Sequence, residues 1–131
     1  MIKGGKETIL FVEDDGILRE MIKETLAMFG YEVLDARDGD DALRIFYEHR
    51  DRIQLLILDV VMPKLNGKEV YCELKKASPH IKTIFISGYP ADVLDTKVMS
   101  KKEYAFISKP FIIDEFLLKV REVLDEPTYT S

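Results

Sequence analysis

Cysteine is almost missing from this chain: Cys72 is the single one among 131 residues. No internal disulfide can form, and a reducing compartment suits the composition. Histidine is scarce too. His49 and His80 lie at no metal-ligand spacing from each other or from Cys72, so all three read as structural or surface residues. No apolar run approaches the roughly 18 residues that a membrane-spanning helix needs. The start, Met1-Ile2-Lys3-Gly4-Gly5-Lys6-Glu7-Thr8, carries lysines without an apolar signal core, so nothing there predicts export. The expectation is a cytoplasmic protein with no membrane insertion. Positive charge is in deficit, 19 bases against 24 acids for a net −5. A nonspecific nucleic-acid binder needs the opposite sign, so no direct nucleic-acid contact is expected. Low-complexity tracts and solenoid-period repeats are lacking as well.

What is present is ordinary globular material, 47% hydrophobic and 33% charged. At this length one domain is expected, burying roughly two-thirds of its unfolded surface. Along the chain a rhythm repeats: apolar run, polar break, amphipathic helix. Thr8-Ile9-Leu10-Phe11-Val12 opens it as a strand. Leu18, Met21, Ile22, Leu26 and Phe29 share one helix face, and Gly30 stops that helix. A strand over 31–36 and a helix over 38–50 follow, the latter with Ala42, Ile45, Phe46 and His49 along one side. Leu55-Leu56-Ile57-Leu58 is the third strand, and Val70, Leu74 and Ala77 mark the third helix, closed by Ser78-Pro79. Thr83-Ile84-Phe85-Ile86 is the fourth strand, 90–98 a weaker helix, and 104–107 the fifth strand. Ile113, Phe116, Leu117, Val120, Val123 and Leu124 form the last helical stripe, and the end after Pro127 is expected to fray. Three strands are apolar at every position rather than at alternate ones. That marks strands covered on both faces, hence a parallel sheet between two helix layers: a three-layer α/β domain of five strand–helix units.

In such a sheet ligands bind at the carboxyl ends of the strands. Here those ends are Glu13-Asp14-Asp15, Asp59, Ser87-Gly88 and Ser108-Lys109-Pro110. Parallel strands would bring them to one edge. Asp15 suits a helix cap. Glu13, Asp14 and Asp59 would crowd together, and like charges about 4 Å apart repel by roughly 4 kcal/mol in a surface-like dielectric. Such a cluster raises a carboxylate pKa or binds a cation. Carboxylate oxygens without His or Cys favour Mg²⁺, with Mn²⁺ as the second choice, over Zn²⁺. A carboxylate at Asp59, at the end of a buried strand, can attack phosphorus and form an acyl phosphate. Ser87 offers a hydroxyl and Lys109 an ammonium for the phosphoryl oxygens, and Gly88 leaves room. Pro110 fixes the backbone after Lys109, and a cis bond there would aim the lysine inward.

These residues carry a resemblance. From about 7 to 124 the chain resembles the receiver domain of bacterial two-component response regulators. The matching segments are Val12-Glu13-Asp14-Asp15, Leu58-Asp59-Val60-Val61-Met62-Pro63-Lys64-Leu65-Asn66-Gly67, Ile86-Ser87-Gly88-Tyr89 and Lys109-Pro110-Phe111. The resemblance implies the flavodoxin-like (βα)5 fold with strand order 2-1-3-4-5. It implies Asp59 as the phosphoacceptor, phosphorylated by a histidine kinase or a histidine phosphotransfer protein. Asp14 and Asp59 would ligate Mg²⁺ directly, Glu13 through water, and Val61 through its backbone carbonyl. Ser87 and Lys109 would contact the phosphoryl group, and Phe106 falls where the family carries its switch aromatic. Phosphorylation would shift the face formed by the fourth helix, fifth strand and fifth helix toward a downstream output protein or domain. The implied protein is no enzyme in the conventional sense, catalysing only its own phosphotransfer and slow autodephosphorylation. Residues 1–6 would be an N-terminal extension, 7–125 the receiver and 126–131 a C-terminal tail.

Some positions depart from the family pattern. Asn66 stands where Asp is common, at a position that is no ligand. Glu103-Tyr104-Ala105 lacks the adjacent acidic pair of receivers that dimerise to drive DNA-binding domains. Val61 and Tyr89, apolar and bulky beside Asp59 and Ser87, would hinder an attacking water and prolong the phosphorylated state. The segment 7–15 and the Ser87-Gly88-Tyr89 turn look like C-terminal receivers of hybrid sensor kinases, though free-standing receivers share them. Three other readings compete. A Mg²⁺-dependent phosphohydrolase of the haloacid-dehalogenase kind needs an acid two residues past its nucleophile, where this chain has Val61. A flavodoxin-like flavin site needs a hydroxyl- and Gly-rich loop where Glu13-Asp14-Asp15 stands. A non-phosphorylated docking scaffold would not need the full set Asp14, Asp59, Ser87 and Lys109.

Overall fold

The computed structural model describes residues 2–60, 67–87 and 104–126. Among the described residues nine elements follow in chain order: β1 (Thr8–Val12), α1 (Gly16–Met28), β2 (Glu32–Ala36), α2 (Gly39–His49), β3 (Ile53–Asp59), α3 (Gly67–Ala77), β4 (Lys82–Ser87), β5 (Ala105–Ser108) and α4 (Ile113–Asp125). The helix expected over 90–98 and the fraying expected after Pro127 lie outside the described residues.

All five strands pair in parallel in the order β2-β1-β3-β4-β5. The uninterrupted apolar runs have the expected cause. Leu10, Val12, Leu56 and Leu58 point to one face, where they meet Ala42 and Phe46 of α2 and Val70 and Leu74 of α3. Ile9, Phe11, Leu55 and Ile57 point to the other and meet Ile22 and Leu26 of α1 and Phe116, Leu117 and Val120 of α4. Alternation thus fills two cores rather than one. The edge strands β2 and β5 are only partly buried, as strands paired on one side must be.

Helix ends differ slightly from the expected ones, for local reasons. Asp15 caps α1, its Oδ1 accepting from the N–H of Ile17 at 3.0 Å and of Leu18 at 3.2 Å, so the helix begins two residues before Leu18, the first position of its apolar stripe. At the other end Gly30 adopts φ +99° and donates to the Ala27 carbonyl, while the Tyr31 N–H donates to the Leu26 carbonyl. That pair of bonds is a Schellman stop, and it takes Tyr31 out of the strand, so β2 starts at Glu32. Asp38 and Arg50 flank α2 as its caps instead of joining it, with Asp38 Oδ1 accepting from the Asp41 N–H at 2.8 Å.

Candidate functional site

β1 and β3 are neighbours in register through Val12↔Leu58, so Glu13 and Asp59 leave the sheet side by side at its carboxyl edge. Carboxylate oxygens of Glu13, Asp14 and Asp59 all lie within 4.8 Å of one another. Glu13 and Asp59 are buried, at 1% and 5% exposure, whereas Asp14 is exposed. β5 delivers the counter-charge: Lys109 Nζ donates to Asp59 Oδ2 at 2.6 Å and to Glu13 Oε1 at 3.0 Å. The Lys109 N–H donates to the Ser87 carbonyl at 2.6 Å, which ties this lysine to the end of β4. The Lys109–Pro110 bond is cis.

The electrostatics follow from burial. Desolvation pushes the Glu13 carboxyl up to about 7, and the charge of Asp59 adds to that. The Asp15 N–H, donating to Glu13 Oε2 at 3.1 Å, and Lys109 work the other way without cancelling it. Burial alone would lower the pKa of Lys109. The bonds to Asp59 and Glu13 outweigh that and raise it, so the ammonium stays charged.

Ser87 is fully buried at the end of β4, one position past the Asp59↔Ile86 pair. Phe106 lies on β5 opposite Phe85, half-buried against the core under α2 and α3. Val61, Gly88 and Tyr89 fall outside the described residues. The structure therefore brings together Glu13, Asp14, Asp59 and Lys109, with the Ser87 backbone joined to Lys109.

Two features were not read from the sequence. Gly67 opens α3 directly against the strand end, its N–H donating to the Val60 carbonyl at 2.9 Å. A Cβ there would meet the Asp59 carbonyl oxygen at 2.3 Å and Val60 Cα at 2.9 Å. Glycine lets α3 approach the residue that carries the central carboxylate. Its signal was the turn before an apolar helical stripe. The other is Arg19 of α1, whose Nη1 donates to the Glu13 carbonyl at 2.7 Å and whose Nε meets Asp35 Oδ2 at 3.3 Å. Nothing in the pattern separates it from a solvated helix base.

No helix among the described residues is long and apolar enough to cross a membrane. Residues 9–121 match the family model described as "Response regulator receiver domain". Among curated proteins, the sensor kinase CckA of Brucella abortus is 34% identical over 122 residues, covering 93% of this chain and 13% of that kinase. Other curated relatives are spanned over about half their length. A response regulator receiver domain protein from Clostridium thermocellum superimposes with a TM-score of 0.81 at 29% identity, over 91% of this chain and 94% of that one. The response regulator TrrA of Thermotoga maritima, solved with Mg²⁺ and a beryllium fluoride group, gives 0.77 at 32% identity over 89% and 98%. With the strand order, the two-sided cores and a family match over most of its length, the chain belongs to the response regulator receiver domains of two-component systems.

Proposed function

We propose that this chain is a phosphoacceptor, in which Asp59 takes a phosphoryl group from a phosphohistidine on a histidine kinase or a histidine phosphotransfer protein. One observation carries the reading: a single ammonium, Lys109 Nζ, bonded to two buried carboxylates at 2.6 and 3.0 Å beside a third. A nucleophile, its resting counter-ion and an acidic cation site then share one sheet edge.

The donor set fits a hard divalent ion that keeps some of its water: three carboxylates with oxygens within 4.8 Å of one another, and no nitrogen or sulfur donor among them. Mg²⁺ would be held by Asp14 and Asp59, by Glu13 through water, and by the Val61 backbone carbonyl. Mn²⁺ would take the same oxygens. When bound, the ion offsets the negative charge of the phosphoryl oxygens. In the transfer an Asp59 carboxylate oxygen forms the new O–P bond as the N–P bond of the phosphohistidine breaks, and the imidazole leaves with that electron pair. Lys109 neutralises Asp59 before transfer and donates to a phosphoryl oxygen after it. The Ser87 hydroxyl donates to another. These bonds to a charged group are the stronger kind, and they favour the phosphorylated conformation only because the resting one lacks them. Phe106 turns toward Ser87, and the face of residues 90–98, β5 and α4 changes its preferred downstream protein. Residues 7–125 act as this unit in the cytoplasm, without a nucleic-acid contact of their own. Val61 and Tyr89 slow the attack of water on the acyl phosphate.

The test is incubation with acetyl phosphate, with and without Mg²⁺, on wild type and Asp59→Ala, read by intact mass. Phosphoryl incorporation that needs both Mg²⁺ and Asp59 is expected. Incorporation into Asp59→Ala, or none in wild type, overturns the reading. Rapid turnover of a simple phosphate monoester would favour a hydrolase instead.

A further inference from the structure

Asp14 is held differently from the two acids beside it. The Glu13 carboxylate is fixed by the Asp15 N–H and by Lys109, and Asp59 by Lys109. The Asp14 side chain is exposed and makes no hydrogen bond among the described residues. Its carboxylate is therefore placed by its backbone, through the peptide that joins the Glu13 carbonyl to the Asp14 nitrogen.

That peptide sits where the chain leaves the sheet. The Glu13 N–H still belongs to the ladder and donates to the Ala36 carbonyl at 3.0 Å. The Glu13 carbonyl instead accepts from Arg19 Nη1 at 2.7 Å. Arg19 is itself held, Nε meeting Asp35 Oδ2 at 3.3 Å, and Asp35 on the edge strand also pairs with Lys23 at 3.1 Å. A continuous set of contacts thus runs from β2 through a guanidinium to the peptide that carries Asp14.

Charge alone argues against a base at this position. Arg19 lies in the opening turns of α1, where the helix dipole disfavours a cation. It also stands near carboxylates that would bind a metal ion, where a positive charge repels the ion. A guanidinium does suit the geometry, because Nε and Nη1 are separate nitrogens held in one rigid plane and reach Asp35 and the Glu13 carbonyl from two places, whereas an ammonium donates from a single rotating nitrogen.

We propose that Arg19, oriented by Asp35, is a positioning residue for the cation site, fixing the Glu13–Asp14 peptide so that the Asp14 carboxylate faces those of Glu13 and Asp59. This rests on the reading of the three acids as a Mg²⁺ site. Position and charge predict opposite signs. If Arg19 acted only through its charge, Arg19→Gln would bind Mg²⁺ more tightly. Acting through position, it binds Mg²⁺ roughly tenfold more weakly, the usual scale for losing a group that orients a metal ligand.

Isothermal titration with Mg²⁺ alone tests this, with no phosphoryl donor present and folding checked by circular dichroism. Wild type is expected to bind, and Arg19→Gln more weakly. Arg19→Lys, which keeps the charge, is also expected to bind more weakly than wild type. It decides the matter if the glutamine variant fails to fold. Adding Asp35→Asn to Arg19→Gln is expected to cost little more, since the two act as one unit. A shift of the Asp14 amide resonance in either Arg19 variant before metal is added supports the same conclusion. An Arg19→Gln affinity equal to or tighter than wild type, or an unaltered Arg19→Lys, overturns this inference alone. No Mg²⁺ affinity in wild type overturns the proposed function and this inference with it.

Discussion

Replacing Glu13 by glutamine is expected to stabilise the metal-free protein at neutral pH while weakening its hold on Mg²⁺. The size follows from the site. Burial, reinforced by the charge of Asp59, raises the Glu13 carboxyl from an ordinary 4.5 to about 7. An acid whose pKa rises on folding is harder to ionise in the folded protein, so its contribution to stability falls as pH rises. Below pH 4.5 the group is protonated in both states and the penalty is absent. Between 4.5 and 7 it grows by about 1.4 kcal/mol per pH unit, to about 3 kcal/mol above 7. Glutamine has nearly the same shape and no charge, but only one oxygen: when that oxygen accepts from the Asp15 N–H, the amide nitrogen faces Lys109 and the bond from Lys109 is lost. Urea unfolding of both proteins in EDTA, every half unit from pH 4 to 8, measures the difference. The variant should gain on wild type as pH rises and exceed it by about 1–3 kcal/mol at pH 8, the lower figure allowing for the bond from Lys109 that the amide nitrogen cannot accept. Saturating Mg²⁺ should shrink or reverse that gap, because an ion bound only by the folded state stabilises the better binder. A gap that is flat across the pH range, or a glutamine variant less stable at pH 8 in EDTA, refutes the reasoning.

Lys109→Met leaves two buried carboxylates without their shared cation, and a loss of about 3–5 kcal/mol at pH 8 is expected. The loss should be smaller at pH 5, where Glu13 is protonated; thermal melts at both values check it. Gly67→Ala forces a methyl group against the Asp59 carbonyl, so a destabilisation of about 1–3 kcal/mol with slower acetyl-phosphate labelling is expected. Unchanged labelling would show that α3 does not set the position of Asp59. At the opposite edge of the sheet, the Arg121 guanidinium bonded to Glu7 holds that carboxyl down at about 2. A lowered acid stabilises above its unfolded value and loses that contribution as pH falls from 4.5 through 2. Glu7→Gln should therefore cost about 1 kcal/mol at pH 7, discounted for the pair's partial exposure, and almost nothing near pH 2. Urea midpoints at the two values decide it.

The sheet was legible because its strands are apolar at every position, and only burial on both faces makes such a run stable. The acids were legible for the opposite reason: Glu13 and Asp59 end those runs abruptly, where charge is costly unless something binds there. The convergence of Asp14 and Lys109 on them needed only parallel strands. Tertiary hydrogen bonds to the backbone were not legible. Arg19 and Lys23 look alike in sequence, and only the fold shows that one reaches a carbonyl of the acidic loop while both meet Asp35. The requirement at Gly67 was hidden likewise, since a glycine before a helix reads as a turn until the strand end beneath it is in place.

The two edges of the sheet divide their work. At the carboxyl edge one lysine serves two buried carboxylates, and one of those acids, Glu13, stays hard to ionise because burial and the charge of Asp59 outweigh the lysine. At the amino edge the arrangement is inverted. Arg121, 12% exposed, meets both Glu7 and Asp125 and donates also to the Gly4 carbonyl and the Tyr31 hydroxyl, and both acids are lowered. That network joins the segment before β1, the end of α1 and the last turns of α4, the two helices that cover one face of the sheet. Its carboxylates titrate in the stabilising direction at neutral pH, and Glu13 in the destabilising one. If the acidic edge takes up a cation, as proposed, the ion offsets part of the cost of ionising the buried Glu13. The Arg121 ion pairs at the far edge hold the supporting helices through contacts that involve none of the acidic-edge residues.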